Sequence, residues 1–144
     1  VGSFCHLVDD YGNVLGVKKK PLSSGDIKKT LLLRNCLIHG SVLVDYKFIG
    51  VDFCYDEQYL YSQDYDLWSR LSLKYKISNI SSPLYYLRIH TRSISSVNTF
   101  KQILYSANIS SINVSRFLRL PKLIVSPAIY SYYTLFFIKS FLTS

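Results

Sequence analysis

The chain has 144 residues, of which 49% are hydrophobic and 18% charged, so it can bury a sizeable core and is not an intrinsically disordered segment. The formal net charge is +8, with a pI near 9.4. A basic surface suits nucleic acid, an anionic membrane or phosphorylated ligands, and charge alone does not choose among them.

The first residue is Val1 and the sequence contains no methionine, so we expect a piece of a longer protein. No cationic and apolar leader opens the chain, and a signal peptide is not predicted. The three cysteines, Cys5, Cys36 and Cys54, form no CxxC pair. We expect buried free thiols in a reducing compartment.

The first predicted elements are the two strands of a hairpin. Val1–Val8 and Val14–Val17 are apolar runs, and the turn-forming stretch DDYGN joins them. A charged loop, Lys18–Asp26, follows, and either Ser24 or Asp26 is expected to cap a short helix at Ile27–Arg34.

Four further elements follow from residue patterns. The β-branched run Cys36–Val44 predicts a strand. Apolar spacing predicts a helix over the second half of Tyr55–Tyr75, and Lys76–Ile89 is strand-like with a break at Pro83. The pattern is helical again from Ser95 to about Leu118, with Pro121 and Pro127 as interruptions beyond it.

The C-terminal tail, Pro127–Ser144, is apolar and rich in aromatic residues, and Lys139 is its only charged residue. It falls slightly short of the roughly 20 apolar residues of a transmembrane helix. It is expected either to lie in a membrane interface or to pack on another part of the protein.

The stretch SQDYDLW, from Ser62 to Trp68, allows two interpretations. Ser62 and Asp64 can cap the helix that follows them. Alternatively, Asp64 is a general base, because a helix N-terminus helps to keep a carboxylate ionised.

An ordered set of short motifs surrounds this stretch. It consists of Asn35, HGSV at 39–42, YDE at 55–57, QDYDLW at 63–68, Pro83-Leu84, LRIH at 87–90 and SIS at 93–95. The set resembles the C-terminal, acceptor-side half of family 2 glycosyltransferases with the GT-A fold. The resemblance covers roughly residues 1–96.

The resemblance implies an α/β fold: a partial GT-A domain at residues 1–96 and a helical C-terminal extension, residues 97–144, for which membrane association is one alternative. It implies that the nucleotide-binding half lies upstream, together with the main ligands of a divalent metal, Mg or Mn. Asp9 and Asp10 are expected to be turn residues rather than that metal motif.

The activity implied by the resemblance is inverting transfer of a sugar from a nucleotide-sugar donor to a glycan or lipid-linked acceptor, in surface polysaccharide biosynthesis. Asp64 corresponds to the catalytic base, and Gln63 stands where the family often has Glu. Arg88 and His90 are expected near the diphosphate, His39 is expected to line the pocket, and Trp68 to anchor the core. The isolated piece is expected to be inactive.

The rival interpretation is a non-catalytic basic module that binds an anionic membrane or nucleic acid. The basic runs Lys18–Lys20 and Lys28–Lys29 are most simply solvated surface, and aromatic residues are not interleaved with them, so nucleic acid is not an expected partner. The expected location is the cytoplasm, either free or peripheral at the inner face of the plasma membrane.

Overall fold

A computed structural model describes residues 1–89 and 99–142 of the chain. The described part is mixed α/β, as predicted, with a three-stranded sheet and five α-helices. The strands are β1 (Gly2–Val8), β2 (Val14–Lys18) and β3 (Asn79–Arg88). The helices are α1 (Ser24–Thr30), α2 (Tyr46–Ile49), α3 (Gln63–Lys74), α4 (Thr99–Leu118) and α5 (Lys122–Leu142).

The sheet has the order β2-β1-β3, with β1 antiparallel to β2 and parallel to β3. The predicted hairpin is confirmed. Oδ1 of Asp9 accepts hydrogen bonds from the backbone N–H groups of Tyr11 (2.9 Å) and Asn13 (2.8 Å), and Gly12 supplies the positive φ of 90°. The side-chain hydrogen bond from Asn13 lowers the pKa of Asp9 below its ordinary value. Asp9 and Asp10 are therefore turn residues.

Strand β3 runs through Pro83 rather than ending there. The pairing register shifts on both sides of Phe4, which faces Pro83. A proline lacks the N–H group that a regular ladder needs, and a bulge accommodates that loss. The parallel pairing is regular again from Cys5 opposite Tyr85 to Val8 opposite Arg88.

The predicted strand at Cys36–Val44 is wrong. Cys36, Leu37 and Ile38 are buried, but His39–Ser41 forms a 3-10 turn. Both edges of β1 are already paired, with β2 and with β3. The segment instead contacts the first residues of β1: Val1 and Leu43 exchange two backbone hydrogen bonds of 2.8 Å, and Oγ of Ser41 accepts one from the backbone N–H of Ser3 (3.1 Å).

Helix α1 begins earlier than predicted and has a different cap. Oγ of Ser23 accepts a hydrogen bond from the backbone N–H of Asp26 (3.1 Å), and the helix runs from Ser24 to Thr30. Its one buried residue, Ile27, enters the main core. The prediction erred because several neighbouring residues are equally good caps by type, and only the backbone geometry selects one.

The main core lies between α1, α3 and α4. Helix α3, predicted from its apolar spacing, supplies Tyr65, Leu67, Trp68 and Leu71 to it. Tyr65 also donates its hydroxyl hydrogen to the backbone carbonyl of Leu31 (2.9 Å). Because Trp68 is one of these buried cluster residues, it is a core anchor, as expected.

The C-terminal helices pack against this core. Ile109 of α4 belongs to the main cluster, and Ser110 of α4 donates to the carbonyl of Leu32 (2.7 Å). Helix α5 buries Val125, Ile129 and Tyr133 against α4. In the described residues, no helix combines the length and apolar character needed to cross a membrane.

Helix α5 continues through Pro127, so the interruption that the sequence predicts at this proline does not occur. A proline inside a helix leaves one carbonyl without its N–H partner, here that of Leu123 one turn earlier. Leu123 is 85% exposed, so water can reach this part of the helix and satisfy the carbonyl.

Candidate functional site

Asp64 lies in the first turn of α3, where its carboxylate has two hydrogen-bond donors. Its Oδ1 accepts from the backbone N–H of Tyr65 (2.8 Å), and its Oδ2 accepts from the side-chain amide of Asn35 (2.7 Å). The residue is half-buried. These two donors fix the orientation of the carboxylate at the start of the helix.

The side chain of Ser62 does not cap α3, although Ser62 occupies the N-cap position. Its Oγ donates instead to the carbonyl of Gln102 (3.2 Å) and lies 3.1 Å from Oγ of Ser106. These contacts dock the start of α3 on α4. The interpretation of Ser62 as a side-chain cap is therefore wrong, while Asp64 does bind a first-turn N–H.

His39 and Tyr55 form a second polar pair near this helix. Nε2 of His39 and the hydroxyl oxygen of Tyr55 are 3.2 Å apart, and both residues are exposed. The His39 ring also lies against Trp68, with ring centroids 5.6 Å apart. Partial burial, and secondly the charge of Asp64, raise the pKa of Tyr55, so Asp64 lies within electrostatic range of this pair.

Gly40 follows His39 in the 3-10 turn His39–Ser41. The space beside it is filled by Tyr85: a Cβ placed on Gly40 would lie 2.4 Å from the Tyr85 hydroxyl oxygen. The glycine thus allows a strand residue to pack on the turn. This contact places the turn that carries His39 beside β3.

The other predicted site residues are not gathered around Asp64 to the same degree. Gln63 is exposed at the first position of α3. Arg88 is exposed at the end of β3, and its Nη1 donates to the backbone carbonyl of Asp10 in the hairpin turn (2.6 Å). Along β3, Arg88 is three positions from Tyr85, on the opposite face of the strand. His90 lies outside the described residues.

Asp66 has a structural partner. Its Oδ2 forms an ion pair of 2.8 Å with Nε of Arg70, one turn later in α3. The same guanidinium donates to the carbonyl of Cys54 (2.5 Å) and ties the loop before the helix to its surface. Asp66 is therefore already engaged, which leaves Asp64 as the carboxylate available at this end of α3.

The sequence does not mark Asn35 or Tyr55 individually as a site residue. Both stand within the motif set that carries the resemblance, and that placement was the available signal. Their contacts with Asp64 and His39 join residues 29 and 16 positions apart. No local periodicity predicts contacts over such separations.

A metal centre is not formed by the described residues, since no group of three His, Cys, Asp or Glu side chains in residues 1–89 and 99–142 could hold an ion. The arrangement instead offers a carboxylate with fixed hydrogen bonds, within electrostatic range of an exposed phenol that is paired with an imidazole. Such a set can accept a proton from a hydroxyl group and bind polar ligands.

Comparison with known proteins relates the chain to glycosyltransferases. It is 40% identical over 81 residues to "Bifunctional glycosyltransferase pgtA" of Dictyostelium discoideum, covering 52% of this chain and 10% of that protein. It is 33% identical over 106 residues to "Uncharacterized glycosyltransferase MJ1057" of Methanocaldococcus jannaschii, covering 72% of this chain and 36% of that protein. The chain thus spans a minor part of each relative. No family model and no solved structure matches it.

Proposed function

We propose that the chain is the acceptor-side part of an inverting family 2 glycosyltransferase with a GT-A fold, a hexosyltransferase-like enzyme. The observation that carries the proposal is the carboxylate of Asp64, held at the start of α3 by Asn35. The similarity to two glycosyltransferases supports it. The order of motifs around Asp64 resembles the same family.

In the proposed mechanism, Asp64 accepts the proton of an acceptor hydroxyl. The hydroxyl oxygen forms a bond to the sugar C1 while the bond from C1 to the nucleoside diphosphate breaks, and the configuration at C1 inverts. The diphosphate leaves with the bonding electron pair. The hydrogen bonds from Asn35 and Tyr65 hold the carboxylate in one orientation, which is what a positioned base requires.

The remaining site residues have supporting roles in this proposal. His39, supported by Tyr55, lines the acceptor pocket, and Gln63 contacts the acceptor from the exposed start of α3. Arg88 and His90 bind the diphosphate side, since a guanidinium and an imidazole are suitable donors to phosphate oxygens. Arg88 would exchange its bond to the Asp10 carbonyl for the ligand.

The nucleotide-binding half of the domain lies, in this proposal, on residues outside the sequence, with the ligands of a Mg or Mn ion that binds the diphosphate. The chain alone then gives little or no turnover. The donor is a nucleotide-sugar and the acceptor a glycan or lipid-linked glycan of surface polysaccharide. The reaction takes place in the cytoplasm or at the inner face of the plasma membrane, with the helical extension as a contact to that membrane.

The test compares Asp64→Asn with Asp10→Asn. Both substitutions are made in a longer protein that also contains the residues encoded upstream of this sequence. Asp10 is a matched control, an exposed turn carboxylate. With a panel of nucleotide-sugars, Asp64→Asn is expected to lower kcat by at least about 100-fold, the usual contribution of a general base, while nucleotide affinity is retained.

Unchanged transfer by Asp64→Asn would show that SQDYDLW is only the start of a helix and that the base is another residue. Equal losses in both variants would point to a general effect of charge removal. Turnover by the 144-residue chain alone would show that the donor site lies within it.

A further inference from the structure

A cavity of about 510 Å³ lies on the side of α3 that faces α1 and the end of α4. Four cationic residues surround it, and none of its described lining residues carries a carboxylate. The cationic residues are Lys28, Lys29, Arg116 and Arg119. Leu31 and Leu32 in the turn after α1, Leu73 of α3 and the ring of Phe117 supply an apolar lining. This cavity is separate from Asp64 and takes no part in the proposed transfer.

The turn between α4 and α5 borders this cavity and exposes large apolar side chains. Residues 116–124 read RFLRLPKLI, with three cations and no acid. Phe117 is 66% exposed, Leu123 85% and Ile124 63%. Arg119 adopts a positive φ of 57°, which turns the chain between the two helices. Apolar and cationic side chains are thus presented together on one short corner.

The cationic and the apolar side chains together determine which class of ligand fits this corner. A free phosphate would pair with the cations but would leave Phe117, Leu123 and Ile124 in water. An apolar protein partner would cover those side chains but would bury the cations without counter-charges, which is costly. A phospholipid surface matches both features, because its headgroups carry negative charge and the acyl boundary accepts apolar side chains.

We propose that the α4–α5 corner, residues 116–124, docks on an anionic phospholipid bilayer and that the adjoining cavity receives a lipid phosphate. Phe117, Leu123 and Ile124 enter the interface, and Lys28, Lys29, Arg116 and Arg119 bind the headgroup. The volume is in the range of pockets for small ligands, about 300–1,000 Å³. The contact is therefore made by this corner and by α1, not mainly by the aromatic end of α5.

Vesicle flotation tests the proposal with phosphatidylcholine vesicles that contain or lack phosphatidylglycerol. Binding is expected only with phosphatidylglycerol and is expected to weaken with added salt. Arg116→Glu with Arg119→Glu is expected to lower the partition coefficient by at least about tenfold, since each cation near an anionic surface contributes about fivefold. Lys18→Glu with Lys19→Glu makes the same charge change at exposed positions of the hairpin and loop and is expected to reduce binding much less.

A second variant reports insertion directly. Leu123→Trp places an indole at the most exposed of the large apolar residues of the corner, while the native Trp68 is 2% exposed. Its fluorescence is expected to shift to shorter wavelength on addition of phosphatidylglycerol vesicles only. Leu135→Trp, at a site 67% exposed near the end of α5, is the matched control.

Four results would overturn the proposal. They are no binding to either vesicle, equal binding to both, equal losses in the two charge-reversal pairs, and a shift for Leu135→Trp without one for Leu123→Trp. Binding of inorganic phosphate without vesicle binding would also contradict a lipid ligand. None of these assays uses a nucleotide-sugar, so their outcome is independent of the proposed transfer.

Discussion

The side-chain amide of Asn35 donates a 2.7 Å hydrogen bond to the carboxylate of Asp64, although the two residues are 29 positions apart. The amide is itself oriented, because its oxygen accepts a hydrogen bond from the backbone N–H of Leu37 (3.1 Å). The turn after α1 therefore determines which way the Asp64 carboxylate points. In the proposed transfer, Asn35 acts through Asp64 and is a positioning residue.

Asn35→Ala tests this role in the full enzyme. We expect kcat to fall by about 10-fold to 100-fold, because the carboxylate loses its fixed orientation. The KM for the donor should stay unchanged, since the Asn35 side chain bonds to the proposed base and to the backbone of Leu37. Asn13→Ala, the same substitution in the exposed hairpin turn, is the control. A rise in KM with unchanged kcat would contradict the positioning role.

The sequence predicted those parts of the fold that local chemistry determines. The β1–β2 hairpin follows from DDYGN, whose Asp9 and Gly12 make the turn bonds and the positive φ. Helix α3 follows from apolar spacing that includes Leu67 and Leu71, both on its buried side. In both cases the pattern and the contacts involve residues only a few positions apart.

The errors arise where distant contacts decide the structure. Cys36–Val44 has strand-like residues, but both edges of β1 are already paired. A local residue pattern does not predict the order of the strands in a sheet. Cys54 was expected to be buried and is exposed, while Cys5 and Cys36 are buried and all three are free thiols. The Asn35–Asp64 and His39–Tyr55 contacts likewise depend on how separate segments pack.

The cysteines give a prediction of unequal reactivity. Burial raises the pKa of Cys36 to about 11, and burial also raises that of Cys5. The thiolate is the reactive form, so both react slowly at mildly alkaline pH. We expect a disulfide reagent to label Cys54 rapidly and the other two only on unfolding. Cys54→Ser should remove the fast phase, and a fast phase that remains would show that a buried thiol is accessible.

Asp52 gives a prediction for acid stability. Lys74 donates to its Oδ1 (2.7 Å) and Tyr75 to its Oδ2 (2.8 Å), and these bonds lower its pKa below the ordinary 3.8. A carboxyl with a lowered folded pKa stabilises the fold above 3.8, and that contribution is lost as pH falls through the folded value.

We therefore expect Asp52→Asn to be less stable than wild type near neutral pH and to lose less further stability in acid. The urea midpoint as a function of pH measures this difference. Asp10→Asn, in the exposed hairpin turn, controls for the removal of one negative charge. Parallel curves for wild type and Asp52→Asn would contradict the role of the Asp52 bonds.

Tyr133 links α5 to the turn after α1, since its hydroxyl donates to the backbone carbonyl of Leu33. Burial raises the pKa of Tyr133 from 10.0 to about 12. Because the folded pKa is the higher one, this contribution to stability is complete below 10.0 and is lost as pH rises toward about 12.

Tyr133→Phe should lower the free energy of unfolding near neutral pH by about 1 kcal/mol, the usual net value of one hydrogen bond. It should also lose less stability than wild type in the alkaline range. Tyr132→Phe, at the neighbouring position that is 42% exposed, should have little effect. Equal effects of the two substitutions would show that the Leu33 contact does not hold α5 in place.

Arg88 can stabilise the hairpin, bind the nucleotide-sugar in the proposed donor site, or do both. Its guanidinium donates to the Asp10 carbonyl (2.6 Å), so Arg88→Gln should destabilise the hairpin slightly in any case. If Arg88 also binds the diphosphate, the KM for the nucleotide-sugar should rise by about 10-fold to 100-fold, because a charge-assisted hydrogen bond is lost. Arg34→Gln, at another exposed arginine, is the control. A lower melting temperature with unchanged KM would assign Arg88 to the hairpin alone, and the diphosphate would then need cationic partners other than Arg88.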